Sequence, residues 1–125
     1  MRYLEKEGVW LLPAPEGERH EILVPGDAHA PNASLLEFAG RVLPDLATLR
    51  SRAVSFLDEF VRPTASGASA DWYLEGIDFG YPEPLAAGQF RLSFTREDDV
   101  YGYWSVVFQE SSSRYFPVTF SRESQ

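Results

Sequence analysis

Apolar and polar residues alternate along the second half of the chain with the period of two that β-strands show. The clearest run covers residues 89–95, where Phe90, Leu92 and Phe94 alternate with polar side chains. Three other runs have strand length and are separated by turn-forming residues: 72–79, 101–108 and 114–120. Because short connections favour antiparallel pairing of successive strands, we predict a four-strand antiparallel meander in this half.

The first half begins with two short apolar runs, "GVWLL" at residues 8–12 and "HEILV" at residues 20–24. The segment between them, "PAPEGER", has the proline and glycine content of a turn. The two runs are therefore predicted to form an N-terminal hairpin.

Apolar residues then recur every three or four positions, which is typical of one face of a helix. Ser34 and Glu37 have the spacing of a capping box, so a first helix is predicted from residue 34 to about residue 43. Pro44 suits the first position of a second helix. Six apolar residues of that second helix share one face and are expected to be buried: Leu46, Leu49, Ala53, Phe56, Leu57 and Phe60.

These elements predict an α+β fold with two layers in a single domain, residues 1–125. The C-terminal meander and the N-terminal hairpin would form an antiparallel sheet, with the two helices packed on one face. The stretch "PTASGASA" at residues 63–70 is interpreted as a loop within this domain. Pro117 cannot donate a hydrogen bond to a neighbouring strand, so the last strand is expected to lie at a sheet edge or to contain a bulge.

Composition and charge restrict the classes of function. The chain has no cysteine, which excludes disulfide scaffolds, cysteine nucleophiles and thiolate metal sites. Its 19 acidic and 11 basic residues give a net charge of −8, so neither nucleic acid nor an anionic membrane surface is an expected partner. The charged first residues and the lack of a long apolar run do not fit a signal peptide or a membrane span, and a cytoplasmic location is expected.

Three consecutive acids, Glu97, Asp98 and Asp99, raise the possibility of a metal site. They lack the glycine and the ligand spacing of a calcium loop. Because aspartate is a favoured turn former, residues 96–100 are interpreted as a hairpin turn between two strands.

Other candidate catalytic or metal-binding groups are weaker. Glu75 and Asp78 resemble the carboxylate pair of a glycoside hydrolase, but their spacing places them on opposite faces of a regular strand. His20 and His29 lack a metal-ligand spacing and are interpreted as surface residues. We therefore predict no catalytic residue, no metal site and no cofactor.

The run at residues 101–108 is largely apolar on both sides, so this strand is expected to be central and covered on both faces. The helices can cover only one face. The other is either covered by the N-terminal hairpin and loops or exposed as a functional aromatic face, a role that suits tyrosine and tryptophan. The candidate binding residues are Tyr101, Tyr103, Trp104, Trp72 and Tyr81.

The tail of the chain, "YGYWSVVF" followed by "FPVTFSRE", resembles that of small uncharacterised bacterial proteins, some of them from toxin–immunity loci. In those proteins a tryptophan-containing strand precedes a terminal strand with a similar Phe-Ser-Arg pattern. The resemblance covers the last quarter of the chain and implies a binding protein without catalysis.

Two functions of different classes remain open. The first is a small acidic binding or inhibitory protein that uses the aromatic face and its acidic rim against a protein partner or another copy of itself. The second is an enzyme or small-molecule-binding protein with a pocket between the sheet and the loop at residues 80–88. Since no catalytic motif is assembled in the sequence, the first is favoured.

Overall fold

The computed structural model describes residues 1–61 and 71–124, which contain one seven-stranded sheet and one helical segment. The strands are β1 (Arg2–Leu4), β2 (Val9–Leu12), β3 (Glu21–Pro25), β4 (Trp72–Asp78), β5 (Gln89–Arg96), β6 (Asp99–Ser111) and β7 (Arg114–Ser124). They lie side by side in chain order. The α+β class with a mostly antiparallel sheet is confirmed, whereas the connector predicted at residues 63–70 lies outside the described residues.

The helical segment consists of α1 (Ala33–Val42) and α2 (Leu46–Phe60), joined by a 3₁₀ turn at Leu43–Asp45. It is therefore one continuous stretch rather than two separated helices. The predicted capping box at Ser34 is wrong, because the N-cap is Asn32, whose side-chain oxygen accepts a hydrogen bond from the Leu35 backbone N–H at 3.1 Å. Asparagine is among the residues most favoured at this position.

The helical segment connects β3 to β4, and these two strands are the parallel pair of the sheet. A parallel pair needs a long crossover connection, which the helices provide. β2 and β3 pair in antiparallel orientation as expected, and β1 adds a strand that the sequence pattern did not predict. The N-terminal strands thus extend the sheet edge to edge, and they do not form a second layer over its other face.

The main core lies between the helices and one face of the sheet. Its largest fully buried members are Phe90, Phe94, Phe108, Ile22, Leu49, Leu57, Ile77 and Leu92. The burial expected for Phe60 is wrong, since its side chain is 58% exposed and stacks on Phe120 of β7 with ring centroids 5.7 Å apart. The last turn of α2 packs against the edge strand β7, so only one side of this turn faces the core.

Among the described strands, β7 is the last of the sheet and pairs with β6 alone. The register shifts near Pro117, because Phe108 lies opposite Pro117 whereas Val107 lies opposite Thr119. Val118 is thus the extra residue of a bulge. Both alternatives predicted from Pro117, an edge position and a bulge, are present together.

The turn between β6 and β7 gives a first testable prediction. Its two residues, Ser112 and Ser113, both have positive φ, at 52° and 63°. Residues with a Cβ are disfavoured there, and the sequence Asn-Gly is preferred in such turns. Replacing the pair by Asn-Gly is expected to raise the free energy of unfolding by about 1 kcal/mol in urea denaturation. Ser113→Ala retains the unfavourable φ and should give no gain; a gain with alanine would contradict the explanation.

Candidate functional site

The sheet face opposite the helices carries a recess of about 510 Å³. Its floor is formed by alternate side chains of β5, β6 and β7, and one wall is formed by the loop that follows β4. The polar and aromatic side chains lining it are Glu21, Glu75, Asp78, Tyr81, Glu83, Arg91, Ser93, Tyr103, Ser105, Thr119, Ser121 and Glu123.

A β-bulge in β4 brings Glu75 and Asp78 into this recess together. Leu74 lies opposite Phe94 and Gly76 lies opposite Ser93, so Glu75 is the extra residue. A bulge shifts the strict alternation of side chains between faces. The expectation that Glu75 and Asp78 lie on opposite faces is therefore wrong, because it assumed a regular strand.

The loop wall is fixed by side chains at the ends of β4 and β5. Asp78 Oδ1 accepts hydrogen bonds from the backbone N–H groups of Gly80 and Tyr81, both at 3.0 Å. Arg91 Nη2 donates to the Glu83 carbonyl oxygen at 2.9 Å. These hydrogen bonds hold Tyr81 at the side of the recess, so the position of the loop wall is fixed by residues of the sheet.

The recess is strongly acidic. Five carboxylates line it, on Glu21, Glu75, Asp78, Glu83 and Glu123, and among the described lining residues Arg91 is the one cationic side chain. Arg91 already lies beside a carboxylate, with Nε 3.6 Å from Asp78 Oδ2. The local excess of negative charge attracts cations and repels anions.

This environment is reflected in two pKa values. Burial raises the pKa of Asp78 above its usual range, although the N–H groups of Gly80 and Tyr81 and the nearby Arg91 lower it. Burial also raises the pKa of the Tyr103 hydroxyl; a hydrogen bond with Ser93 opposes this, and nearby carboxylates raise the pKa further. Both groups lack much of the stabilisation that water would give their charged forms.

The five predicted binding residues are divided between two environments. Tyr81 and Tyr103 line the recess. Tyr101 is 71% exposed and lies outside it. Trp72 and Trp104 are buried in the core on the helix side, and their rings meet edge to face at 5.7 Å.

Strand alternation explains the burial of the two tryptophans. Trp104 shares a face with buried Val106 and Phe108, and Trp72 donates its indole N–H to Asp58 Oδ1 of α2 at 2.9 Å. The guanidinium of Arg96 lies over both rings, 4.9 Å from Trp72 and 5.7 Å from Trp104. Neither tryptophan is available to a partner at the surface.

The three consecutive acids have separate roles. Glu97 and Asp98 form a two-residue turn, because Arg96 pairs with Asp99 across it. Asp99 begins β6, and its carboxylate accepts hydrogen bonds from Nε and Nη2 of Arg122, both at 2.9 Å. The turn expected at residues 96–100 is thus shorter than predicted, and Asp99 ties β6 to β7.

Asp99 gives a second prediction. Its hydrogen bonds with Arg122 hold the pKa of Asp99 below the usual range. The charged carboxylate therefore stabilises the fold fully above the unfolded-state pKa of about 4. This stabilisation is lost as the pH falls through the lowered pKa of the folded state. Asp99→Asn should be less stable than the wild type at pH 7 in urea denaturation, with a smaller difference at pH 3. Glu16→Gln is the control, and a difference independent of pH would contradict this role.

Further candidate groups add no second site. His20 is buried rather than at the surface, with Nδ1 3.7 Å from Glu18, and His29 is exposed. Across residues 1–61 and 71–124, no group of three or more histidine, aspartate or glutamate side chains is placed to hold a metal ion. Within the same residues, neither helix has the length and apolar character needed to cross a membrane.

A wider groove of about 980 Å³ lies between α2 and β7. Its charges balance, with Asp45 and Glu59 against Arg52 and Arg114. Arg52 Nη1 donates to the Tyr115 carbonyl oxygen at 3.1 Å, which occupies an acceptor on the edge strand. Because it has no net charge, this groove selects for no class of ligand as clearly as the recess does.

Comparison of the chain with protein-family models, with curated protein sequences and with solved structures gives no match. The geometry and charge of the recess are therefore the features from which a function can be inferred.

Proposed function

We propose that the protein is a non-catalytic binding protein whose open sheet face receives a basic region of a protein partner. The observation that carries this proposal is the set of five carboxylates around one recess, with a single arginine among its described lining residues. Complementary charge accelerates association and excludes partners of the wrong sign. A cytoplasmic location and the absence of nucleic acid among the partners remain parts of the proposal.

Tyr103 is the aromatic residue best placed to support such binding. It is half-buried in the recess floor, so part of its ring is already ordered before a partner arrives. Tyrosine combines a large contact area with a polar hydroxyl, and buried aromatic side chains often dominate interface energies. The tail resembles that of proteins from toxin–immunity loci, and an inhibitory function is one form that such binding could take.

A fluorescent basic octapeptide, (Gly-Arg-Gly-Lys)₂, tests the proposal by anisotropy. We expect it to bind more tightly than the acidic peptide (Gly-Glu-Gly-Asp)₂, with an affinity that falls as the salt concentration rises. Tyr103→Ser should weaken binding by about fivefold or more, which corresponds to about 1 kcal/mol. Tyr3→Ser, in β1, is the matched control and should bind as the wild type does.

Equal binding of the two peptides, or equal effects of the two tyrosine variants, would contradict the proposal. The second candidate is a small cationic molecule, because the loop wall and the sheet enclose a recess rather than a flat face. In that case a small cation should bind as tightly as the octapeptide does.

A further inference from the structure

We propose that the group entering the recess is a guanidinium, so that the partner inserts an arginine side chain. This inference rests on the proposed function and specifies the chemistry of its ligand. Arginine and lysine carry the same charge but differ in shape, hydration and number of donors, so the two side chains make different demands on a site.

Asp78 provides an unused acceptor deep in the recess. Its side chain is only 8% exposed. Oδ1 is fully engaged by the Gly80 and Tyr81 N–H groups, but Oδ2 accepts no hydrogen bond within the described residues, and its nearest cation, Arg91 Nε, is 3.6 Å away. Oδ2 can therefore accept a hydrogen bond from an N–H group of a ligand that enters the recess.

The remaining acceptors are spread around the recess rather than gathered at one point. Glu75 lies on β4, where Thr95 Oγ1 donates to its Oε1 at 2.7 Å, and Glu21 lies on the adjacent strand β3, opposite Gly76. A guanidinium has five N–H donors in a planar fork and can reach separated acceptors at once, whereas an ammonium group is a compact point charge.

The rings of Tyr81 and Tyr103 favour the same ligand. Both line the recess, one from the wall and the other from the floor. A planar guanidinium stacks on aromatic faces and loses less hydration than an ammonium group when it enters a half-closed site. Shape, donor number and desolvation therefore all favour arginine over lysine.

The test is an NMR titration of the intact protein with three small probes: the N-acetyl N-methylamides of arginine, lysine and citrulline. Citrulline has nearly the shape of arginine without its charge. We expect arginine to bind at least about fivefold more tightly than lysine and at least about tenfold more tightly than citrulline, with shifts at the amides of Ser93 and Ser105. Asp78→Asn should remove most of the preference for arginine.

Glu75→Gln is the second variant, should Asp78→Asn disturb the loop wall, and it should weaken arginine binding by several-fold. Glu59→Gln on α2 is the control and should leave the affinity unchanged. Equal affinities for arginine and lysine would overturn the guanidinium inference while leaving the proposed function intact. Binding of citrulline as tight as that of arginine would also overturn it, and a recess unaffected by any probe would count against both.

Discussion

Replacing Phe90 with alanine is expected to lower the free energy of unfolding by about 3–5 kcal/mol, the cost typical of truncating a buried phenylalanine. Phe90 is fully buried. Its ring is parallel to that of Phe108 with centroids 5.0 Å apart, and it meets the edge of Tyr115 at 5.5 Å. Loss of the ring would leave a cavity between the sheet and α1, where Phe38 also packs against it at 6.0 Å. Urea denaturation at pH 7 measures this cost.

Phe60→Ala is the matched control for this measurement, because the same side chain is removed from an exposed position. Its stacked contact with Phe120 is lost, so a cost of about 1 kcal/mol is expected. If both variants lost the same stability, the distinction between the core and the edge of α2 would be wrong.

Removing three charges from the recess is expected to have the largest effect on binding. In Glu21→Gln/Glu75→Gln/Glu123→Gln the shape of the recess is kept and three of its five carboxylates are neutralised. Each exposed charge pair is worth about 0.2–1 kcal/mol, so the three together should weaken binding of the basic octapeptide by between about threefold and about 150-fold. Anisotropy titration at low salt measures the change.

The control variant neutralises three exposed acids outside the recess, Glu16, Glu59 and Glu97, and therefore changes the net charge equally. It should reduce the affinity only slightly. An equal loss in both variants would show that the peptide responds to total charge, and the recess would then have no special role.

Local patterns in the sequence predicted the individual elements well. The alternation of Phe90, Leu92 and Phe94 gave β5, and the spacing of Leu49, Ala53 and Leu57 gave the buried face of α2. Such patterns depend on each element having one dry face, which is a local property of the chain.

Pairing between distant segments was not predictable in the same way. The parallel pairing of β3 with β4 joins strands separated by the whole helical segment, so turn chemistry carries no information about it. One signal was present: Gly76 lies inside a strand, where glycine often marks a bulge or close backbone approach. A Cβ added there would lie 3.1 Å from the Glu21 carbonyl oxygen, and the bulge at Glu75 immediately precedes it.

The candidate site was predicted only in part. Tyr103 and Trp104 were both predicted as binding residues although they face opposite sides of β6, and the sequence did not indicate which side is exposed. Tyr103 lies in the recess, whereas Trp104 is buried in the core. The alternating polar residues Thr119, Ser121 and Glu123 of β7 lie on the same face as Tyr103, but they were not predicted to belong to the site. Their significance depends on the order of the strands, which brings them beside β6.

The most direct test of the account is to map where the basic octapeptide binds. Backbone amide chemical shifts are followed by NMR as (Gly-Arg-Gly-Lys)₂ is added to the intact protein. The largest changes are predicted on the open sheet face, at Ser93, Ser105 and Ser121, with little change along α2 at Ser51 and Ser55. Changes confined to the groove between α2 and β7, or no changes at saturating peptide, would contradict the claim that the acidic recess is the binding site.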